Sequence, residues 1–210
     1  MERKIVAVNG LIGSGKDTFS KHFIDAGYVR CSFAESLKDA VSVIFGWERS
    51  LLEGDTDESR EYREIKDEFW TNRLDFGIDI TPRWILQNFG TNAVRKHFHN
   101  NIWLFSLENK IIQNDWEKVI ITDCRFPNEL ALIRQNNGTI IEVQRGEQPN
   151  WYDVAAGYNL FGADVKPSIL EGIHESEWAW IGINQPNYVV KNDSTLMDLQ
   201  HEAYKILVRI

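Results

Sequence analysis

A glycine-rich stretch with one lysine, GLIGSGKDT, runs from Gly10 to Thr18 near the amino terminus. Its spacing, Gly-x-x-x-x-Gly-Lys, is that of a phosphate-binding loop (P-loop). Glycines let backbone N–H groups turn toward an anion, and a following helix points its positive end at the same place. Lys16 would reach the terminal phosphates of a nucleotide. A plain glycine turn is the alternative. We expect an ATP phosphate site made by Gly10, Gly13, Ser14, Gly15, Lys16, Asp17 and Thr18.

The residue after the lysine departs from the common pattern. Most P-loops place Ser or Thr there, and its hydroxyl binds Mg²⁺, whereas this chain has Asp17 with Thr18 one position later. Asp17 could bind the metal directly or through water with support from Thr18. It could instead cap the helix while the metal is held elsewhere. The sequence leaves both alternatives open, and we predict Asp17 and Thr18 as Mg²⁺ ligands.

A second group of charged residues follows an apolar stretch, VIIT, in VIITDCRFPNE. Asp123 would lie at the carboxyl end of that strand, where open α/β sheets bind their ligands. It could act as a magnesium partner or accept a hydrogen bond from a substrate. Arg125 carries a permanent, forked positive charge that suits a phosphate, and Glu129 could point back from the next helix. A capping acid beside a surface arginine is the alternative.

Hydrophobic periodicity around these residues predicts an α/β sheet. A strand over 4–9 precedes the glycine loop, helix and strand alternate from there, and Thr81-Pro82 has the chemistry of a helix start. We expect Gly90-Thr91 to interrupt that helix, and we find no clear periodicity from Arg145 to about Ile173. The predicted strands are 4–9, 28–32, 119–122, 139–144 and 188–190, and the predicted helices are 17–26, 34–45, 81–89, 92–100, 102–112, 127–137 and 194–210.

Two segments do not fit the alternation. Residues 48–68 are dense in charge, which indicates a solvated helix or flap, or a substrate lid that carries Arg60 or Arg63. The aromatic and glycine-rich stretch 150–172 could form a lid, a dimer contact or a small subdomain. We therefore expect one P-loop domain over 1–210, in which a three-layer αβα core with a mostly parallel sheet carries mobile insertions at about 47–80 and 146–173.

Composition narrows the class of partner. The chain has 210 residues, a formal net charge of −8 and a pI of about 5.2, so its surface as a whole would repel nucleic acid and anionic lipid. Cys31 and Cys124 lack the spacing of a metal site or a disulfide framework. No apolar run is long enough for a membrane span or a signal peptide. We expect a cytoplasmic protein that binds neither membrane nor nucleic acid.

The motifs together resemble the phage deoxynucleoside monophosphate kinases, and the Gly-Lys-Asp variant of the loop is itself a feature of that family. The resemblance implies a P-loop kinase that moves the γ-phosphoryl group of ATP to a deoxynucleoside monophosphate with Mg²⁺, for nucleotide supply in phage DNA synthesis, and that is often a dimer. The motifs that carry it, in chain order, are GLIGSGKDT, SFAESLKDA, TPRWILQNFGT, IITDCRFPNE and IHESE.

The resemblance also implies site residues. Lys38 matches a lysine near the substrate, and Trp103 matches an aromatic residue suited to stacking on the base. Ser176 matches a hydroxyl residue near the substrate, and Glu177 would hold that turn. We predict Lys16, Arg83, Arg125 and Asp123 as catalytic, with Arg134 and Arg145 as weaker candidates for a lid arginine. The predicted substrate-binding set is Lys38, Arg83, Gly90, Thr91, Trp103, Asp123, Arg125, Glu129 and Ser176.

Simple structural roles compete with several of these assignments. Lys38 could be an exposed helix lysine, Trp103 a core residue and Ser176 a plain turn residue. Two other functions compete with the leading one: a different small-molecule P-loop kinase of the phosphomevalonate type, and a P-loop ATPase linked to nucleic acid. The acidic composition speaks against the second, and base stacking by Trp103 would speak against the first.

Overall fold

A computed structural model describes residues 3–162 and 165–210. The four remaining residues include Ala163 and Asp164, so this part of the predicted 146–173 insertion lies outside the described residues. The strands are β1 (Lys4–Asn9), β2 (Val29–Cys31), β3 (Lys118–Ile121), β4 (Thr139–Gln144) and β5 (Tyr188–Lys191). The α-helices are α1 (Lys16–Asp25), α2 (Glu35–Phe45), α3 (Asp57–Tyr62), α4 (Glu68–Leu74), α5 (Pro82–Gln87), α6 (Ile102–Gln113), α7 (Pro127–Gln135), α8 (Tyr152–Phe161), α9 (Glu175–Trp178) and α10 (Leu196–Leu207). Short 3-10 helices cover Arg49–Leu52 and Ser168–Leu170, and a π-helix covers Asn88–Arg95.

The described chain forms two compact units, and we call them the sheet unit (Met1–Ser32 and Ile111–Ile210) and the helical unit (Phe33–Lys110). In the sheet unit all five strands are parallel, in the order β2-β3-β1-β4-β5. Parallel strands buried on both faces read as continuous apolar runs, as β1 and β3 do. The predicted parallel α/β sheet is therefore confirmed.

Helices cover both faces of the sheet and complete the three-layer αβα arrangement. On one face, Phe19 and Phe23 of α1 and Leu199 of α10 pack on Val6 and Val8 of β1. Side chains alternate along a strand, so the residues between these valines face the other side, where α7 packs on β1 and β4. The predicted P-loop fold is confirmed, and it places the loop after β1 at the centre of the sheet's carboxyl edge.

The helical unit has an aromatic core whose tryptophans also make hydrogen bonds. Trp47 Nε1 donates to Asp67 Oδ2 at 2.7 Å, and Trp70 Nε1 donates to the Phe45 carbonyl at 2.9 Å. A buried indole needs such a partner for its N–H group. The predicted solvated segment 48–68 is part of this unit, and the fully buried Leu52 anchors it to the core.

Two sequence predictions are wrong in detail. Gly90-Thr91 does not interrupt its helix, because the backbone widens into the π-helix and continues. The stretch after Arg145 is not irregular throughout, because α8 forms there with Gly162 as its left-handed cap. The apolar residues of α8 show only a weak helical periodicity, so the sequence did not predict this helix. Among the described residues, no helix combines the length and the apolar character that a bilayer span requires.

Candidate active site

The glycine loop forms a tight turn between β1 and α1. Gly10, Gly13 and Gly15 all have positive φ angles, of 142°, 77° and 94°. A Cβ atom on Gly10 would lie 2.2 Å from the Val143 carbonyl oxygen of the neighbouring strand β4. Only glycine fits there, so the loop passes directly over the sheet edge and leads into α1, whose amino end favours an anion.

Lys16, the first residue of α1, turns back over this loop. Its ammonium group donates to the carbonyl oxygens of Gly10 at 3.0 Å and Leu11 at 2.8 Å. Burial, together with the nearby positive charge of Arg125, lowers the pKa of Lys16 from 10.5 to about 8, while Asp17 and Glu177 act in the opposite direction. A phosphate group bound here would favour the charged form of the lysine.

Asp17 and Thr18 are both exposed in the first turn of α1. The Asp17 carboxylate lies 3.8 Å from the Arg30 guanidinium of β2. Mg²⁺ in nucleotide sites takes one or two protein oxygens and completes its shell with phosphate oxygens and water. The accessible carboxylate and hydroxyl oxygens of these two residues fit that role. Within residues 3–162 and 165–210, no three His, Cys, Asp or Glu side chains are grouped to hold a metal ion.

The residues that follow β3 form the second part of the site. β3 lies beside β1 in the sheet, so Asp123 lies on the same carboxyl edge as the glycine loop. Ser32, which follows β2, donates to Asp123 Oδ2 at 2.7 Å. The Glu129 carboxylate does point back along its helix, and it accepts the N–H groups of Arg125 at 2.6 Å and Phe126 at 3.0 Å. Glu129 thus fixes the turn that carries Arg125.

Arg125 is held by a residue from the segment between β4 and β5. Its Nη1 lies 2.9 Å from Glu177 Oε1 in α9, and its charge influences Lys16. The neighbouring Ser176 is buried and shares a hydrogen bond of 2.9 Å with His174 Nδ1 at the start of α9. The sheet unit therefore brings Lys16, Arg125 and Glu177 within electrostatic reach of one another.

The predicted site residues of the helical unit have partners of their own. Lys38 is buried and pairs with Glu53 at 2.6 Å, so the alternative of an exposed lysine is wrong. Burial by itself would raise the pKa of Glu53, but Lys38 and Arg49 together lower it to about 2. Arg83 pairs with Glu64. Two cationic side chains of this unit, Lys38 and Arg83, are thus each paired with a carboxylate.

The π-helix places Gly90 and Thr91 against the core of the helical unit. A Cβ atom on Gly90 would lie 2.5 Å from Leu37 Cδ2, and Thr91 is buried. Trp103 is half-buried, packs on the same core and donates its indole N–H to the Gly90 carbonyl at 3.1 Å. These three predicted residues therefore lie together, and Trp103 leaves part of its ring accessible.

Sequence reasoning missed some residues that hold the site. Asn192, which follows β5, donates from its side chain to the Ser14 carbonyl at 2.9 Å. Glu53 was not singled out either. The Asn192 contact joins positions 178 apart in the chain and the Lys38–Glu53 pair joins positions 15 apart, and no local motif marks either contact. Of the lid candidates, Arg134 donates to the carbonyls of Ile183 and Asn184, while Arg145 lines a small pocket beside Leu11 and Ser14.

Comparison with known proteins identifies relatives of this chain. Residues 50–155 match the family model of deoxynucleotide monophosphate kinases. The deoxynucleoside-5′-monophosphate kinase of Escherichia phage T5 is 32% identical over 181 residues, covering 63% of this chain and 72% of that protein. A relative from Acanthamoeba polyphaga mimivirus is 30% identical over 153 residues, covering 67% and 74%.

A solved structure supports the fold alone. The structure of TT1252 from Thermus thermophilus superposes with a TM-score of 0.50 at 13% identity, covering 100% of this chain and 99% of that one.

The family model spans half of the chain, and both relatives are matched over more than two thirds of their length. The chain therefore belongs to the deoxynucleotide monophosphate kinase family.

Proposed function

We propose that this kinase transfers the γ-phosphoryl group of ATP to a deoxynucleoside monophosphate and so forms ADP and a deoxynucleoside diphosphate. The observation that carries the proposal is the convergence of Lys16 and Arg125 at the glycine loop, in a chain of this family. Phosphoryl transfer requires little covalent chemistry from the protein. It requires two aligned phosphates and cations around the charge that develops between them.

In this proposal the glycine loop binds the ATP phosphates, and Lys16 and Arg125 neutralise the transferred group. Asp123 and Ser32 organise the neighbouring strand edge, while Glu129 keeps the Arg125 turn in place. Asp17 and Thr18 would hold Mg²⁺, which supplies positive charge to the ATP phosphates when it is bound. The acceptor phosphate oxygen is already ionised at neutral pH, so the reaction needs no general base.

The acceptor nucleotide would use residues of the helical unit. Lys38 and Arg83 supply positive charge for the monophosphate, Gly90 and Thr91 line its site, and Trp103 stacks on the base. Ser176 is a further proposed substrate-binding residue. The ion pairs of Lys38 with Glu53 and of Arg83 with Glu64 support this assignment, because the two carboxylates hold these cationic side chains in place within the helical unit.

The wider setting of the reaction is also part of the proposal. Buried, unbridged Cys31 and Cys124 suit a reducing compartment, and we place the reaction in the host cytoplasm during phage DNA synthesis. A homodimer is the proposed assembly, and sedimentation equilibrium would test it. The family assignment does not favour a phosphomevalonate-type kinase or a nucleic-acid-linked ATPase.

An ADP-release assay tests the function directly. ATP and Mg²⁺ are supplied with each deoxynucleoside or ribonucleoside monophosphate in turn, or with single-stranded DNA. We expect ADP release only with a deoxynucleotide acceptor, and a loss of about a hundredfold or more in Lys16→Ala. Lys21→Ala, which removes an exposed lysine of the same helix, is the matched control. Release without an acceptor, or release stimulated by DNA, would contradict the proposal.

A further inference from the structure

The segment that follows β5 is fixed to the sheet next to the glycine loop. The Asn192 N–H donates to the Gln144 carbonyl at 2.7 Å and so extends the β4–β5 pairing by one residue. The next residue, Asp193, accepts the Gly146 N–H at 2.6 Å. Two hydrogen bonds to the end of β4 thus set the backbone from which the Asn192 side chain extends.

That side chain reaches the glycine loop across a large distance in sequence. Its Nδ2 donates to the Ser14 carbonyl oxygen at 2.9 Å. A Cβ atom on Gly15 would lie 2.3 Å from the same Nδ2, so the side chain lies directly against the Ser14–Gly15 peptide. The oxygen of the Asn192 carboxamide cannot replace its nitrogen here, because the Ser14 carbonyl only accepts hydrogen bonds.

The contact has a consequence for the direction of one backbone amide. The Ser14 carbonyl and the Gly15 N–H belong to a single planar, trans peptide and point in opposite directions. When Asn192 holds the carbonyl on its side of the loop, the Gly15 N–H must face the other side. We infer that Asn192 is a positioning residue that turns the Gly15 amide toward the phosphates of the bound nucleotide.

This inference rests on the proposed binding of ATP at the loop, but its test does not need the acceptor reaction. The measurement is the Kd for ADP with Mg²⁺, determined by titration calorimetry, together with the melting temperature of each variant. Asn192→Ala removes the donor. Asn192→Asp keeps the shape, but it places a carboxylate against the Ser14 carbonyl and adds negative charge beside the loop.

The chain offers a matched control at the other end of the same strand. Asn187 precedes β5, and its side-chain oxygen accepts the Ile140 N–H at 2.8 Å. The Asn187 side chain therefore ties β5 to β4 at the amino end of the strands, away from the glycine loop, whereas the Asn192 side chain ties β5 to that loop. Asn187→Ala reports what the loss of an asparagine bridge between these strands does to stability alone.

We expect Asn192→Ala to weaken ADP binding about tenfold, the usual effect of one hydrogen bond, and Asn192→Asp to weaken it more. Asn187→Ala should lower the melting temperature and leave the Kd for ADP within about twofold. Unchanged ADP affinity in a folded Asn192 variant would overturn the inference, as would equal weakening in Asn187→Ala. If Asn192→Ala does not fold, the isosteric Asn192→Asp decides by the same criterion. A wild-type chain that binds ADP but phosphorylates no monophosphate would overturn the proposed function and leave this result standing.

Discussion

At the scale of single residues, the cations of the site differ in their partners. Some are paired with carboxylates of the protein, whereas others are placed to bind a ligand. Lys16 rests on two carbonyl oxygens of its own loop, and these are weak partners for a cation. Arg125 has a carboxylate partner, Glu177, yet its positive charge still disfavours protonation of Lys16. Two cations that repel each other in the free protein attract a polyphosphate strongly, because the ligand removes the repulsion.

The pKa of Lys16 leads to a prediction about proton uptake. In the free protein about half of Lys16 is neutral near pH 8, and bound phosphate raises its pKa. ATP binding at that pH should therefore take up about half a proton, and the uptake should vanish about two pH units lower, where the lysine is already charged. Calorimetric titrations in two buffers of different ionisation enthalpy measure this number. Lys16→Arg, which stays protonated, should show no uptake, and equal uptake in that variant would refute the explanation.

At the scale of elements, local chemistry explains what the sequence could predict. Adjacent residues specify the order of strand, glycine loop and helix. They also specify the Thr81-Pro82 start of α5, where the Thr81 side chain accepts the Trp84 N–H. The π-helix could not be predicted in this way. Glycine is required at position 90 because a Cβ atom there would clash with Leu37, which is far away in sequence. The roles of Asn192 and Glu53 could not be predicted either, because no local motif marks their contacts. Residues that bind phosphate form local motifs, whereas residues that hold those motifs are specified by tertiary packing.

The loop glycines allow a matched comparison of two substitutions. Gly10→Ala would place a methyl group 2.2 Å from a backbone oxygen of β4, whereas Gly13→Ala would meet nothing within 4 Å. Both residues have positive φ, so Gly13→Ala should cost about 1 kcal/mol of unfolding free energy from backbone strain. Gly10→Ala should cost at least about 2 kcal/mol more from overpacking. Urea denaturation measures both, and equal costs would contradict the close approach of loop and sheet.

At the scale of the whole molecule, stability depends on acids that are paired with cations in the core of the helical unit. Glu53 accepts from both Lys38 and Arg49. The pKa of Glu53 lies below the ordinary value, at about 2. The ionised Glu53 therefore contributes fully to the free energy of unfolding above about pH 4.5, and this contribution is lost as the pH falls toward 2. Exposed carboxylates account for most of the net charge of −8. Salt screens their interactions, so they contribute less to stability than Glu53 does.

Removal of the Glu53 charge should therefore destabilise the chain in a pH-dependent way. Glu53→Gln leaves Lys38 buried without its counter-ion and should cost about 3 kcal/mol at neutral pH. The difference from the wild type should shrink as the pH falls from about 4.5, where the carboxyl group of the unfolded chain takes up a proton, toward about 2, where the native carboxyl group does so. Denaturation curves at several pH values give this difference. The exposed Asp57, which pairs with Arg60 at the surface, is the control, and Asp57→Asn should change stability by less than about 1 kcal/mol.

The strand order has a consequence for the chain as it is synthesised. β1 and β2 are made first, but both pair with β3, and β1 pairs otherwise only with β4. Lys4 therefore meets its neighbour Lys118 only after the entire helical unit has left the ribosome. Until then β1 and β2 have no partner strand, and a chaperone that shields nascent hydrophobic chains would find its binding site at the apolar β1 rather than in the later, contiguous helical unit.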